Sequence, residues 1–293
     1  MVDFDYGEMT TRNLGFVSAQ EQDRISKATV FVCGTGGMGG ACLQSLARAG
    51  IGHVILADAD EFEISNLNRQ VFATLDTVGV DKTEATRQGL LKINPDIHIT
   101  LYDTRWPDHL DAILTASDIV VNGMDDIAAT VRLYRACRAA GLTLIDAYAA
   151  AFPSVYVTRP NDPMPEEWLA YPTRNKAPEA WSDADLAACF LGELSHVMSV
   201  SSSRHHIDLE LAAELAAGKR SRMSFAPMVI LTGNLMAYEV LHRVIGRSGG
   251  ADYRGYFFNP FKGRTERPLP EPLAGWMRAL ARSAIRKLMD EGA

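Results

Sequence analysis

Hydrophobic and polar positions along this chain alternate between two periods. Ala28–Cys33 is a short apolar, β-branched run that stops at a glycine cluster, the pattern of a central parallel strand covered on both faces. Gly39–Ala49 then carries helix-forming residues and ends at Gly50, and His53–Asp58 is a second apolar run. Together they predict a right-handed βαβ unit. Alternating Ile97–Tyr102 and apolar Asp118–Asn122 read as two further strands, followed by a helix over Ile127–Ala140 closed by Gly141 and a strand over Leu142–Asp146. The expected fold is α/β, a doubly wound, Rossmann-like and mostly parallel sheet.

Regularity lapses from Pro153 to about Ser224, where prolines at 160, 163, 165, 172 and 178 and a serine run at 199–203 predict an irregular insert or crossover. Helical periodicity returns over Pro227–Ile245, followed by a strand-like Tyr253–Phe258 and a basic helix from about Leu273 to Met289. The expected division is an N-terminal helical arm over 1–27, a nucleotide-binding core over 28–152, the insert over 153–224, and the C-terminal part of the same domain over 225–293.

Composition narrows the function. With 22% charged residues and a formal net charge of −7, no overall basic surface recruits nucleic acid or anionic membrane. The four cysteines, Cys33, Cys42, Cys137 and Cys189, form no C-x-x-C pair, so neither a disulfide framework nor a structural zinc is expected. The acidic opening Met1–Asp5 leads into no apolar run. The longest apolar stretch, Phe225–Tyr238, is broken by Pro227, Thr232, Gly233 and Asn234. A cytoplasmic protein with no membrane span is the expectation.

Chemistry enters with Gly34-Thr35-Gly36-Gly37-Met38-Gly39, placed between a strand and a helix so that phosphate oxygens can approach backbone N–H groups. A ligand-free glycine turn has the same residues, but here both flanking elements are in place. Asp58, 19 residues after Gly39, has the spacing of a ribose-binding carboxylate; Asp60 stands beside it, although with Glu61 it also suits a solvated turn. These features serve NAD and ATP equally. Arg69, Gln70, Lys82 and Asp125 separate the two, because hydride transfer needs no cluster of cations and metal-binding carboxylate around a polyphosphate, whereas phosphoryl and adenylyl transfer do. Arg69 offers a planar fork, Lys82 a point charge, and Asp125 a magnesium ligand beyond the Asp118–Asn122 strand. Singly, each also reads as a surface charge; the set carries the inference.

G-T-G-G-M-G, D-A-D at 58–60, S-N-L-N-R-Q at 65–70, V-G-V-D-K ending at Lys82 and I-N-P at 93–95 resemble the ThiF/MoeB/HesA family, a prokaryotic group similar to ubiquitin-activating enzymes. The resemblance covers about Arg12 to Asp146 and, more weakly, the 227–246 helix. It implies an ATP-dependent adenylyltransferase. Such an enzyme joins a carboxylate, commonly the C-terminal glycine of a ubiquitin-like or sulfur-carrier protein, to AMP from Mg2+-ATP and releases pyrophosphate. Peptides of the modified-antibiotic kind fit the same site. The resemblance further implies Asp58 on the ribose, Arg69 and Lys82 on the phosphates, Asp125 on magnesium, Asn66 at the phosphate region and Gln70 in support. A symmetric homodimer is implied as well, with Arg12 reaching the γ-phosphate bound by the other subunit.

The chain departs from the family in three places. The two C-x-x-C pairs of zinc-holding members are missing, so no zinc is expected. Asp125-Asp126 replaces the usual Asp-Asn, and Asn122 stands where an acid is frequent. Cys189 lies where related activating enzymes place a thioester cysteine, yet its apolar neighbours suit a buried thiol. His205-His206 have no third ligand at helical spacing and read as lying ahead of a helix over 208–215. Arg278, Arg282, Arg286 and Lys287 form a basic helix face, solvated or facing an acidic partner. Two other readings stay open. A tRNA threonylcarbamoyladenosine dehydratase-like enzyme would need a positive groove for RNA. A non-catalytic nucleotide-binding partner subunit would be expected to lose the arginine, lysine and metal acid that this chain keeps.

Overall fold

The computed structural model describes residues 3–148, 150–216, 219 and 223–291. Two short helices, α1 (Tyr6–Thr10) and α2 (Ala19–Lys27), lead in, and α2 opens on a reciprocal cap in which Ser18 and Glu21 each satisfy the other's backbone N–H. Then come β1 (Thr29–Cys33), α3 (Gly37–Ala49), β2 (His53–Ala57), α4 (Lys82–Leu91), β3 (His98–Tyr102), α5 (Leu110–Thr115), β4 (Ile119–Asn122), α6 (Ile127–Ala140) and β5 (Leu144–Asp146). Every strand anticipated in this half is present. Gly50 and Gly141 end α3 and α6 in the left-handed conformation, at φ 88° and 70°, as their placement predicts. Helix α3 begins at Gly37, two residues before the expected start.

The stretch expected to be irregular is largely built. It contains β6 (Ser154–Thr158), α7 (Pro165–Trp168), the eighteen-residue α8 (Asp183–Val200) and α9 (Leu209–Ala216). The prolines do not interrupt these elements: Pro165 opens α7, Pro178 opens a 3-10 turn, and α8 starts after them on a Ser182–Asp185 capping box. The chain closes with α10 (Ala226–Val244), β7 (Tyr256–Asn259), β8 (Arg264–Glu266) and α11 (Leu273–Glu291).

One eight-stranded sheet runs in the order β3-β2-β1-β4-β5-β6-β7-β8, parallel through β5 and antiparallel beyond it. The sequence order reverses between β1 and β4, which makes the crevice beyond their carboxyl ends a ligand position. Register brings the ends together, with Cys33 opposite both Ala57 and Asn122. Helix α10 crosses α3 at close range: a Cβ on Gly233 would come 2.5 Å from the Met38 carbonyl oxygen and 2.6 Å from the Ala41 Cβ. The basic face of α11 is not uniformly solvated. Arg278 lies over the Trp168 ring with 11% of its side chain exposed, and Arg282 reaches the Leu169 carbonyl oxygen at 3.3 Å; Arg286 and Lys287 are exposed.

Candidate functional site

The turn from β1 into α3 is built by contacts only glycine allows. Gly34 sits at φ +90°, where a Cβ would come 2.5 Å from the Gly123 carbonyl carbon, and a Cβ on Gly39 would come 1.9 Å from the Gly34 carbonyl oxygen. These two glycines pack the turn against the β4 end and lie outside the cavity wall. Gly36 and Gly37 line it. The N-cap of α3 is Gly36, and among the described residues no side-chain cap closes that end, the kind of helix start at which anions bind.

Asp58 follows β2 and is held by four donors: Thr35 N at 2.6 Å, Thr35 Oγ1 at 3.0 Å, Ala59 N at 2.9 Å and Asp60 N at 3.1 Å. Thr35 is fully buried, so the glycine-rich loop itself fixes the carboxylate. Beyond it, a 3-10 turn at Ile64–Asn66 is stapled by Glu63 N donating to Asn66 Oδ1 at 3.1 Å. Arg69 Nη1 rests on the Ser65 carbonyl and Asn68 Oδ1, both at 2.9 Å. Gln70 is buried beside Gly36, and among the described residues its Oε1 has no partner. Lys82, the first residue of α4, donates from Nζ to Asp60 Oδ2 at 2.8 Å; its side chain is 10% exposed, that of Asp60 68%. Asp125 lies in the turn after β4, where Asp126 instead caps α6 by accepting from Ala129 N at 2.6 Å.

Asp58, Asp60, Asn66, Arg69, Gln70, Lys82 and Asp125 thus join Gly36 and Gly37 around one cavity of about 930 Å³. That volume suits a nucleotide. Among the described residues no three His, Cys, Asp or Glu side chains cluster to hold a metal ion. Magnesium is commonly held by one or two carboxylates together with the phosphates of its ligand, a donor set that Asp125 on the wall fits. Arg12 is exposed and lies outside the wall. Cys189 also lies outside it, fully buried in α8, and burial pushes its thiol up to about 11. That is the setting of a packing thiol, and the charged groups that act on it among the described residues are the carboxylates of Glu193 and Glu166 rather than an activating cation. His206 stacks on Phe261, ring centroids 4.0 Å apart. Sequence reasoning missed Thr35, Tyr148 and Ala150, and the floor formed by Met228 and Val229 of α10. Thr35 was within reach of reasoning, since it sits inside the glycine loop opposite the second strand's acid.

A doubly wound sheet with a cavity of nucleotide size at its switch point is the architecture of α/β nucleotide-binding proteins. The chain belongs to the ThiF family, whose family model matches residues 10–272. It is 34% identical over 146 residues to a molybdopterin-synthase adenylyltransferase of Salmonella typhimurium, covering 48% of this chain and 59% of the relative. It is 31% identical over 137 residues to the sulfur carrier protein ThiS adenylyltransferase of Escherichia coli, covering 46% and 55%. The chain spans about half the length of such curated relatives. Among solved structures it is similar in fold to Escherichia coli MccB, at a TM-score of 0.64 with 20% identity, covering 90% of this chain and 71% of MccB. The protein PaaA matches at 0.61 with 17% identity, covering 90% and 73%. No helix among the described residues is long and apolar enough to cross a membrane.

Proposed function

We propose that this chain is an ATP-dependent adenylyltransferase. Its substrate is the C-terminal carboxylate of a small ubiquitin-like or sulfur-carrier protein or of a peptide, and its product is an acyl-AMP. The observation that carries the reading is the convergence of Asp58, Arg69, Lys82 and Asp125 on a single cavity. Relatives named as activating ThiS and as a SAMP-activating enzyme, and structures of MccB with ATP and with N-formylated MccA, support the substrate class.

In this reading Asp58, immobilised by Thr35, orients the ribose, and the uncapped start of α3 receives phosphate oxygens. The substrate carboxylate oxygen attacks the α-phosphorus, and the α–β anhydride bond breaks so that pyrophosphate leaves. Arg69 and Lys82 swing from the Ser65 carbonyl and Asp60 onto the phosphates and stabilise the charge that builds on the leaving group. Asp125 would hold magnesium, which would supply positive charge against the polyphosphate. Arg12, exposed and away from its own cavity, is free to serve a second subunit, as a homodimer requires.

The test is ATP–pyrophosphate exchange by the full chain with candidate carrier proteins. Exchange that needs the carrier's terminal carboxylate supports the reading. Exchange that needs RNA instead, or none with any carboxylate, overturns it.

A further inference from the structure

The turn that carries Asp125 is set from behind by one amide. Asn122, the last residue of β4 and 2% exposed, engages both of its amide protons and its carbonyl oxygen. Its Nδ2 donates to Asp146 Oδ1 at 3.0 Å and to Thr130 Oγ1 at 3.1 Å, while its Oδ1 accepts from the Met124 backbone N–H at 3.2 Å. Asp146 is itself fixed: Oδ1 also accepts from Ala147 N at 2.7 Å, and Oδ2 accepts from Tyr134 Oη at 2.9 Å. On the other side of the turn, Gly123 N donates to the Cys33 carbonyl at 2.6 Å, and Asp126 caps α6. The four residues 123–126 are therefore clamped at both ends, with Asp125 between the clamps on the cavity wall.

Residue type matters at 122. The side chain must donate twice and accept once, which an amide of this length does. A carboxylate there could not donate to Thr130, and would face Asp146 across the same 3.0 Å. The Asn in place of the family's frequent acid is thus matched to the buried Asp146 and Tyr134 around it.

We propose that Asn122, locked by Asp146 and Thr130, is a positioning residue that sets divalent-ion affinity by holding the Met124–Asp125 turn, without touching the ion; this rests on Asp125 being the metal ligand. Partners that orient a metal-binding group commonly change metal affinity by about 10–100-fold when removed, and a partner acting through backbone belongs near the lower end.

The test uses the full chain with α,β-methylene-ATP, following Mn2+ binding by electron paramagnetic resonance and nucleotide binding in EDTA by calorimetry. Asn122→Ala should weaken Mn2+ by about tenfold while metal-free nucleotide affinity stays within about twofold, a split that general loosening of the site would not give. Thr130→Val, which removes one anchor and keeps the volume, should weaken Mn2+ by about threefold and serves if the first variant does not fold. Native Mn2+ affinity in Asn122→Ala, or in Thr130→Val if that variant alone folds, overturns the inference when Asp125→Ala has lost the ion. Native Mn2+ affinity in Asp125→Ala as well overturns the magnesium assignment itself.

Discussion

Replacing Lys82 by methionine separates the site's chemistry from the fold's stability. The Lys82 ammonium is 2.8 Å from Asp60, on a side chain that is 10% exposed, whereas the carboxylate is 68% exposed. A pair with so open a partner contributes at most about 1 kcal/mol to folding. Methionine keeps the volume, and the carboxylate left behind is already in water, so the melting temperature should fall by only about 2–4 °C. Function should suffer far more. A unit charge about 3 Å from a phosphate oxygen gains roughly 5 kcal/mol at an effective dielectric of 20, but Lys82 gives up Asp60 to make that contact. The net difference is that of one charge-assisted hydrogen bond, about 1.5–3 kcal/mol, or about 10- to 150-fold. Calorimetric titration of Mg2+-α,β-methylene-ATP into wild type and Lys82→Met measures it directly. Affinity within about twofold of wild type, with the fold intact, would refute the claim that Lys82 transfers from Asp60 to the nucleotide.

Thr35→Val removes the 3.0 Å hydroxyl bond to Asp58 but keeps the 2.6 Å backbone bond, so the KM for ATP should rise about fivefold with little change in kcat; an unchanged KM would show that Asp58 does not depend on the loop. His196 is fully buried among Tyr148, Tyr156, Trp168 and Phe257, and burial, reinforced by Arg278, pushes its pKa down to about 3 from 6.5. Its neutral form is the folded form, so its contribution is complete above pH 6.5 and is lost as pH falls from there toward 3, at about 1.4 kcal/mol per unit. Between pH 7.5 and 4.5 wild type should lose about 2–3 kcal/mol more than His196→Phe in urea unfolding; parallel losses would contradict the buried neutral imidazole. Glu21, Glu84, Asp185 and Glu266, each lowered to about 2, titrate below 4.5 in both proteins and cancel in that comparison. Cys189→Ala should cost about 1 kcal/mol of stability and leave adenylation, read as pyrophosphate exchange, within about twofold; a loss of exchange would give the thiol a role that its burial denies.

The parallel half of the sheet was legible because β1, β2 and β4, buried strands, read as unbroken apolar runs and the edge strand β3 alternates, and βαβ connectivity then fixes where their ends meet. The glycine loop, Asp58 and the 65–70 segment were legible as chemistry, yet their division of labour was not. That Gly34 and Gly39 serve packing while Gly36 and Gly37 face the cavity depends on a backbone approach to Gly123, 89 residues further along. The hold of Asp60 on Lys82 needs the 61–81 segment to fold back, through bridges between Glu61 and Asp81 and between Phe62 and Val78, which no local pattern announces. Helix α8 was obscured by the prolines ahead of it, and β8 is three polar residues at a sheet edge, too short for periodicity to speak. Arg278 defeated the reading of α11 because a long cationic side chain can lay its stem on an aromatic ring while its charge still suggests solvent.

The proposed adenylyltransferase requires Arg69, Lys82 and Asp125 to converge on the triphosphate of a nucleotide that Asp58 holds by its ribose. A crystal structure of the full chain with Mg2+ and α,β-methylene-ATP tests it most directly. The phosphates should be seated on the start of α3, with Arg69 and Lys82 released from Ser65 and Asp60 to contact them and the ion on Asp125. A nucleotide bound with Arg69 and Lys82 still on Ser65 and Asp60, or an ion held away from Asp125, would contradict it.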